Sequence, residues 1–206
     1  MTSAAGGGGA PPDLPGRAGA IVLAGGRARR MSGEDKLRAP VGGTAVLARV
    51  LVACAGLAPV LVGPPELAAE HPGVPVVREE PPYGGPVAAL RTGLAALPPD
   101  RDPVLVLAGD QPFLDVAAFT ELARALGDDS DAALFVDADG RDQYLCALWR
   151  RTSLDAGLAD PAAGAMRALY AAARLIRVPD HRRVSADVDT HAALGAARAR
   201  ARRGVR

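Results

Sequence analysis

The stretch Ala20-Ile21-Val22-Leu23-Ala24-Gly25-Gly26-Arg27-Ala28-Arg29-Arg30-Met31-Ser32-Gly33-Glu34-Asp35-Lys36 runs from a short apolar segment straight into a glycine pair and a run of cations. Ala20 to Leu23 are apolar without alternation, the pattern of a strand covered on both faces. Gly25 and Gly26 let backbone N–H groups approach an anion closely and tolerate the positive φ that such loops need. Four cations, Arg27, Arg29, Arg30 and Lys36, follow within ten residues. A loop that binds a phosphate chain accounts for this combination more economically than a solvated basic turn, and a triphosphate is the natural anion. The stretch is neither a Walker A loop nor Gly-x-Gly-x-x-Gly, which argues against P-loop ATPases and dinucleotide enzymes.

On either side of this stretch the pattern alternates between β and α. Val60–Val62, Val74–Val77, Val104–Ala108, Ala132–Val136 and Tyr144–Trp149 read as further buried strands. Val46, Leu47, Val50, Leu51 and Cys54 form a helical stripe opened by Thr44 and closed by Gly56. Val87, Leu90, Leu94 and Leu97 form a second, with Pro86 at its first position. Val116, Phe119, Leu122 and Leu126 form a third, with Asp115 as its cap and Gly127 as its stop. The reading is an α/β protein: a single-domain, Rossmann-like three-layer α/β/α fold on a mostly parallel sheet. The domain is expected over 18–197, after a Gly/Pro-rich disordered tail at 1–17 and before an arginine-rich helical tail at 198–206, read as solvated.

Composition narrows the function. Among 206 residues the formal net charge is +1, which excludes the broad basic face of a general nucleic-acid binder. Cys54 and Cys146 are too few and too scattered for a disulfide framework or a zinc site, and His71, His181 and His191 lack metal-ligand spacing. No apolar run approaches the roughly 18 residues of a membrane span, and no basic segment followed by an apolar stretch opens the chain. The expected compartment is the cytoplasm, with no membrane partner; oligomeric state is left open.

In a parallel α/β sheet, ligands bind outside the carboxyl ends of the strands. Val104–Ala108 runs into Gly109-Asp110-Gln111-Pro112-Phe113, which places Asp110 where a carboxylate holds Mg²⁺ against phosphates. Near the end, Ser185-Ala186-Asp187-Val188-Asp189-Thr190 puts Asp187 and Asp189 on one side of an extended segment. Either one supplies a second carboxylate to the metal, with Asp187 the first choice, or both serve the turn before the Thr190 cap. Glu79-Glu80-Pro81-Pro82-Tyr83-Gly84-Gly85-Pro86 either closes over a nucleotide or merely connects. Asp137-Ala138-Asp139-Gly140-Arg141-Asp142-Gln143 reads as a hairpin turn, with Arg141 and Gln143 able to face an acceptor.

Taken in order, these residues resemble the molybdenum cofactor guanylyltransferase family of MobA-like NTP transferases, from about Ala18 to Leu194. The resemblance rests on Leu23-Ala24-Gly25-Gly26…Arg29-Arg30-Met31…Asp35-Lys36, on Gly109-Asp110-Gln111-Pro112-Phe113, on Gly84-Gly85-Pro86 and on Asp187-Val188-Asp189-Thr190. It implies a nucleotidyltransferase fold in which Leu23, Ala24, Gly25, Gly26, Glu79 and Asp110 contact the nucleotide and Lys36 holds its phosphates. It further implies that Asp110, helped by Asp187, binds Mg²⁺, while Arg27, Arg30 and Lys36 stabilise departing pyrophosphate. The implied substrates are GTP and a phosphorylated pterin, molybdopterin or its molybdenum-loaded form. Leu-Ala-Gly-Gly goes with GTP in this family. The rivals are a cytidylyltransferase for the same pterin, an enzyme for phospholactate or a sugar phosphate, and a non-catalytic nucleotide binder.

Overall fold

The structure, a computed structural model, describes residue 14 and residues 16–25, 30–31, 34–160 and 164–204, with the backbone course alone at 30, 31 and 34. Expectations that rest on Gly26, Arg27 and the Arg30 side chain lie outside the described residues. In chain order the elements are β1 (Gly19–Leu23), β2 (Arg30–Met31), β3 (Glu34–Asp35), β4 (Pro40–Val41), β5 (Thr44–Ala45), α1 (Val46–Ala53) and β6 (Pro59–Val62). Next come α2 (Leu67–Glu70), β7 (Val76–Val77), α3 (Pro86–Ala96), β8 (Val104–Ala108), α4 (Val116–Ala125) and β9 (Ala132–Val136). The chain continues through β10 (Asp142–Trp149), α5 (Arg151–Ala159), α6 (Met166–Ala171), β11 (Leu175–Pro179) and α7 (His191–Arg203).

Seven strands form one sheet in the order β7-β6-β1-β8-β10-β9-β11. Neighbours are parallel except β10, which runs antiparallel to both β8 and β9. The chain builds from β1 through β6 to β7, then returns to add β8 on the other side of β1. Strand order therefore reverses between β1 and β8, and the crevice beyond their carboxyl ends is the topological switch point.

Side-chain alternation sends each strand into two cores. Ala20 and Val22 of β1 join Leu105 and Leu107 of β8 in one core, closed by Leu47 and Val50 of α1 and Phe119 and Leu122 of α4. Ile21, Val104 and Val106 face the other, closed by Leu90 and Leu94 of α3, Leu154 of α5 and Leu169 of α6. Both faces being covered explains the unbroken apolar strands and confirms the three-layer α/β/α reading.

Several elements differ in detail from expectation. Thr44 does not open α1: it pairs with Val41 in a short hairpin, and the helix starts at Val46 without a side-chain cap. The strand expected over Val74–Val77 is confined to Val76–Val77, because Pro75 has no N–H to give and serves as an acceptor for Leu61 N at 2.9 Å. Pro86 opens α3 and Asp115 caps α4, accepting from Ala118 N at 2.8 Å, as expected. The β9–β10 hairpin closes through Asp137 N donating to Arg141 O at 3.0 Å.

Leu14, inside the expected disordered tail, is buried in the first core. The arginines expected to be solvated are partly engaged. Arg198 Nε donates to Pro40 O at 3.0 Å, and Arg200 donates to Arg183 O at 2.7 Å and Arg182 O at 2.9 Å. Arg200 also lies 3.7 Å from the centre of the Phe113 ring. The helix carries Leu194 and Ala197 into a third small core with Val41, Val46 and Val188, which brings Arg198 and Arg200 within reach of backbone carbonyls, while Arg202 and Arg203 stay exposed.

Candidate active site

The switch-point crevice is built from strand ends held in register. Ala24 N donates to Val62 O at 2.8 Å and Gly109 N donates to Leu23 O at 2.8 Å, so the loops after β1 and β8 leave the sheet side by side. A Cβ at Gly109 would lie 3.0 Å from Leu47 Cδ1 and 3.3 Å from Leu23 O, so the lack of a side chain there is what lets β8 turn against β1 and present Asp110.

Lys36 arrives from the other direction. The β2–β3 hairpin leads into a turn in which Asp35 Oδ1 accepts from Leu37 N at 3.0 Å, and the Leu37 side chain is buried. Between these anchors the Lys36 ammonium reaches Asp110 Oδ2 at 2.6 Å and Asp189 Oδ1 at 2.5 Å. Burial by itself would lower the Lys36 pKa, but the attraction and hydrogen bonds of Asp110 and Asp189 outweigh it and hold the group above its ordinary value.

The acidic terminal segment is tied to the Asp110 loop at two points. Val188 N donates to Asp110 O at 3.1 Å, and the buried Gln111 donates from Nε2 to Ser185 O at 3.0 Å. Asp180 shapes the approach, its buried carboxylate accepting from Val184 N, Ser185 N and Ser185 Oγ at 2.9, 2.8 and 2.6 Å. Asp187 keeps much of its surface in solvent, yet its carboxyl is pushed up to about 6. Desolvation by the surrounding chain is the main cause, followed by repulsion from Asp189 and Asp110, with Lys36 opposing.

The resulting cleft has a volume of about 330 Å³ and is lined by Leu23, Ala24, Gly25, Lys36, Leu37, Glu79, Tyr83, Gly85, Pro86, Ala89, Ala108, Asp110 and Leu145. Six residues singled out from sequence, Leu23, Ala24, Gly25, Lys36, Glu79 and Asp110, thus share one cleft. Glu79 is buried, and its Oε1 accepts from Tyr83 N at 3.0 Å. Asp187 lies outside the lining of this cleft and borders a polar hollow of about 480 Å³ that contains Arg141 and Gln143. Asp189, the second choice for the metal, is the terminal aspartate that reaches Lys36. Sequence reasoning missed Leu37, Ala89 and Leu145 as cleft residues. They are apolar residues within ordinary turn, helix and strand patterns, and no local signal separates them from core.

Strand order, a cleft at the switch point and a lysine–aspartate pair inside it define an α/β protein of the nucleotidyltransferase class. The MobA-like NTP transferase domain matches residues 20–181, and the chain belongs to that family. It is 40% identical over 141 residues to the "Probable molybdenum cofactor guanylyltransferase" of Mycobacterium tuberculosis H37Rv, covering 66% of this chain and 69% of the relative. With the molybdenum cofactor guanylyltransferase of Mesorhizobium japonicum it shares 34% over 143 residues, 66% of this chain and 68% of that one. Among solved structures, the molybdopterin-guanine dinucleotide biosynthesis protein A of Archaeoglobus fulgidus superposes with a TM-score of 0.70 at 18% identity, covering 89% of this chain and 98% of that chain. That last likeness is one of fold.

Proposed function

We propose that this chain transfers GMP from GTP to the terminal phosphate of molybdopterin, or of its molybdenum-loaded form, releasing pyrophosphate and using Mg²⁺. The observation that carries the reading is the meeting of Lys36 and Asp110, 74 residues apart in sequence and 2.6 Å apart in space, within the cleft formed by Leu23, Ala24 and Gly25. The named relatives support guanine as the base and the pterin as the acceptor.

In this reading the nucleophile is a phosphate oxygen of the acceptor, already an anion at neutral pH. Its attack on the α-phosphorus forms one P–O bond as the bond to the pyrophosphate oxygen breaks, so no proton has to move and no enzyme-bound intermediate is needed. The protein's task is alignment and charge neutralisation. Lys36 neutralises the phosphate chain, with Arg27 and Arg30 assigned to the leaving pyrophosphate from the sequence.

The residues present fit a divalent cation. Asp110 Oδ2 faces Lys36, while Asp110 Oδ1 is buried without a hydrogen-bond partner among the described residues. No group of three or more His, Cys, Asp or Glu side chains at metal-binding distances occurs among the described residues. Mg²⁺ nonetheless suits such a site, because it is commonly held by one or two carboxylates together with substrate phosphates. Asp110 would hold it, with Asp187 as the second carboxylate; when bound, the ion supplies screening between the two reacting anions.

The direct test is pyrophosphate release in the presence of Mg²⁺ and molybdopterin, with GTP and CTP in parallel. Release with GTP that depends on the acceptor is expected. Release with CTP alone would reassign the nucleotide, and GTP binding without release would make the chain a binder rather than a transferase.

A further inference from the structure

We propose that Tyr83 is the stacking surface for the nucleobase, and that the area of its ring favours a purine over a pyrimidine. This deepens the function proposed above and rests on it.

Aromatic residues are scarce in this chain, with one Trp, three Tyr and three Phe. Trp149, Tyr170, Phe119 and Phe135 are each no more than 1% exposed and serve the cores. Tyr83 is the opposite case: it is 55% exposed and forms part of the nucleotide cleft. Its backbone has φ of 68°, a left-handed conformation that disfavours any residue with a Cβ, although Gly84 and Gly85 follow immediately. A strained backbone that keeps a large ring at the mouth of a cleft, with glycines beside it, points to a task for the ring.

That conformation is held by a hydrogen bond, and one face of the ring carries a cation. The Tyr83 N–H donates to the buried Glu79 carboxylate at 3.0 Å, so the loop folds onto a residue that itself lines the cleft. The Arg78 guanidinium lies 5.5 Å from the centre of the Tyr83 ring. The cleft lining combines the charged Lys36, Asp110 and Glu79 with the apolar Pro86, Ala89 and Leu145, so it offers phosphate partners and apolar surface together. A nucleobase offers a flat π-face to such surroundings, and aromatic stacking is the interaction that a protruding tyrosine ring provides.

The test compares the wild type with Tyr83→Phe and Tyr83→Ala by calorimetric titration with Mg-GTP, Mg-CTP and inorganic tripolyphosphate. Alanine keeps the same backbone constraint, so the comparison removes the ring alone. Tyr83→Ala is expected to weaken GTP binding about tenfold or more and CTP binding less, and to leave tripolyphosphate affinity unchanged. Tyr83→Phe should bind like the wild type, because stacking needs the ring and not the hydroxyl. Unchanged GTP affinity in Tyr83→Ala would overturn the inference. So would an equal loss for tripolyphosphate, which would make Tyr83 a loop prop, or a matching loss in Tyr83→Phe. A wild type that binds no GTP would instead overturn the functional reading itself.

Discussion

Lys36 and Asp110 sit at the centre of the proposed chemistry, and each has a distinct expected phenotype. Asp110→Ala removes the carboxylate assigned to the divalent ion and should lower kcat by about 10²–10³, the scale of losing one preorganised charge-stabilising group. Near-normal turnover by that folded variant would take Asp110 out of the mechanism. Lys36→Ala should act first on binding, weakening GTP affinity by about tenfold or more as a charged phosphate partner is lost, measured by titration. Asp187 makes a prediction about pH. Its folded pKa of about 6 lies above the ordinary aspartate value of 3.8, so between these values the folded protein holds more proton than the unfolded chain. Stability from this group is therefore greatest at low pH, declines as pH rises from about 4 to 6, and the cost is complete at neutrality. Asp187→Asn should raise the melting temperature of the nucleotide-free protein at pH 7 and change it little at pH 4. An equal shift at both values would remove charge as the cause. Lys36 and Asp110 were legible in the sequence because each follows a strand within a local pattern. The Lys36–Asp189 contact was not, because it joins residues 153 apart.

Among the secondary-structure elements, α3 depends on a glycine for its depth of packing. A Cβ on Gly93 would meet Ile21 Cγ2 at 2.5 Å and Val62 Cγ2 at 2.9 Å, both on β-branched side chains of the sheet. Alanine is the better helix former by about 1 kcal/mol, but overpacking costs about 1–3 kcal/mol. Gly93→Ala should therefore destabilise the fold by about 1 kcal/mol in denaturant titration; a stabilised variant would show that α3 lifts freely from the sheet. The elements hardest to see in sequence lie toward the β11 edge. In β11 the side chains of Ile176 and Arg177 are exposed and Val178 alone is buried, so no apolar run marks the strand. In α5 the stripe consists of Leu154 and Leu158, too sparse to stand out from a loop. By contrast β1, β6 and β8 are buried on both faces, and burial writes itself into sequence as continuous Val, Leu and Ile.

The chain's far end closes back on its first half. α7 covers Val41 and Val46, and Arg200 secures it by donating to two backbone carbonyls and packing on the Phe113 ring beside the Asp110 loop. Arg200→Ala should cost about 2 kcal/mol, from charged hydrogen bonds and a cation–π contact together. Denaturant titration checks this; an unchanged midpoint would mean that Leu194 and Ala197 hold the helix unaided. Short-range sterics and burial act on neighbouring residues, and so the α/β alternation and the acid after β8 could be read directly from the chain. The reversed direction of β10, the docking of the arginine-bearing helix and the choice of Asp189 as the partner of Lys36 could not. Those depend on which strand lies beside which, and that order comes from the joint burial of two core faces that no single segment encodes.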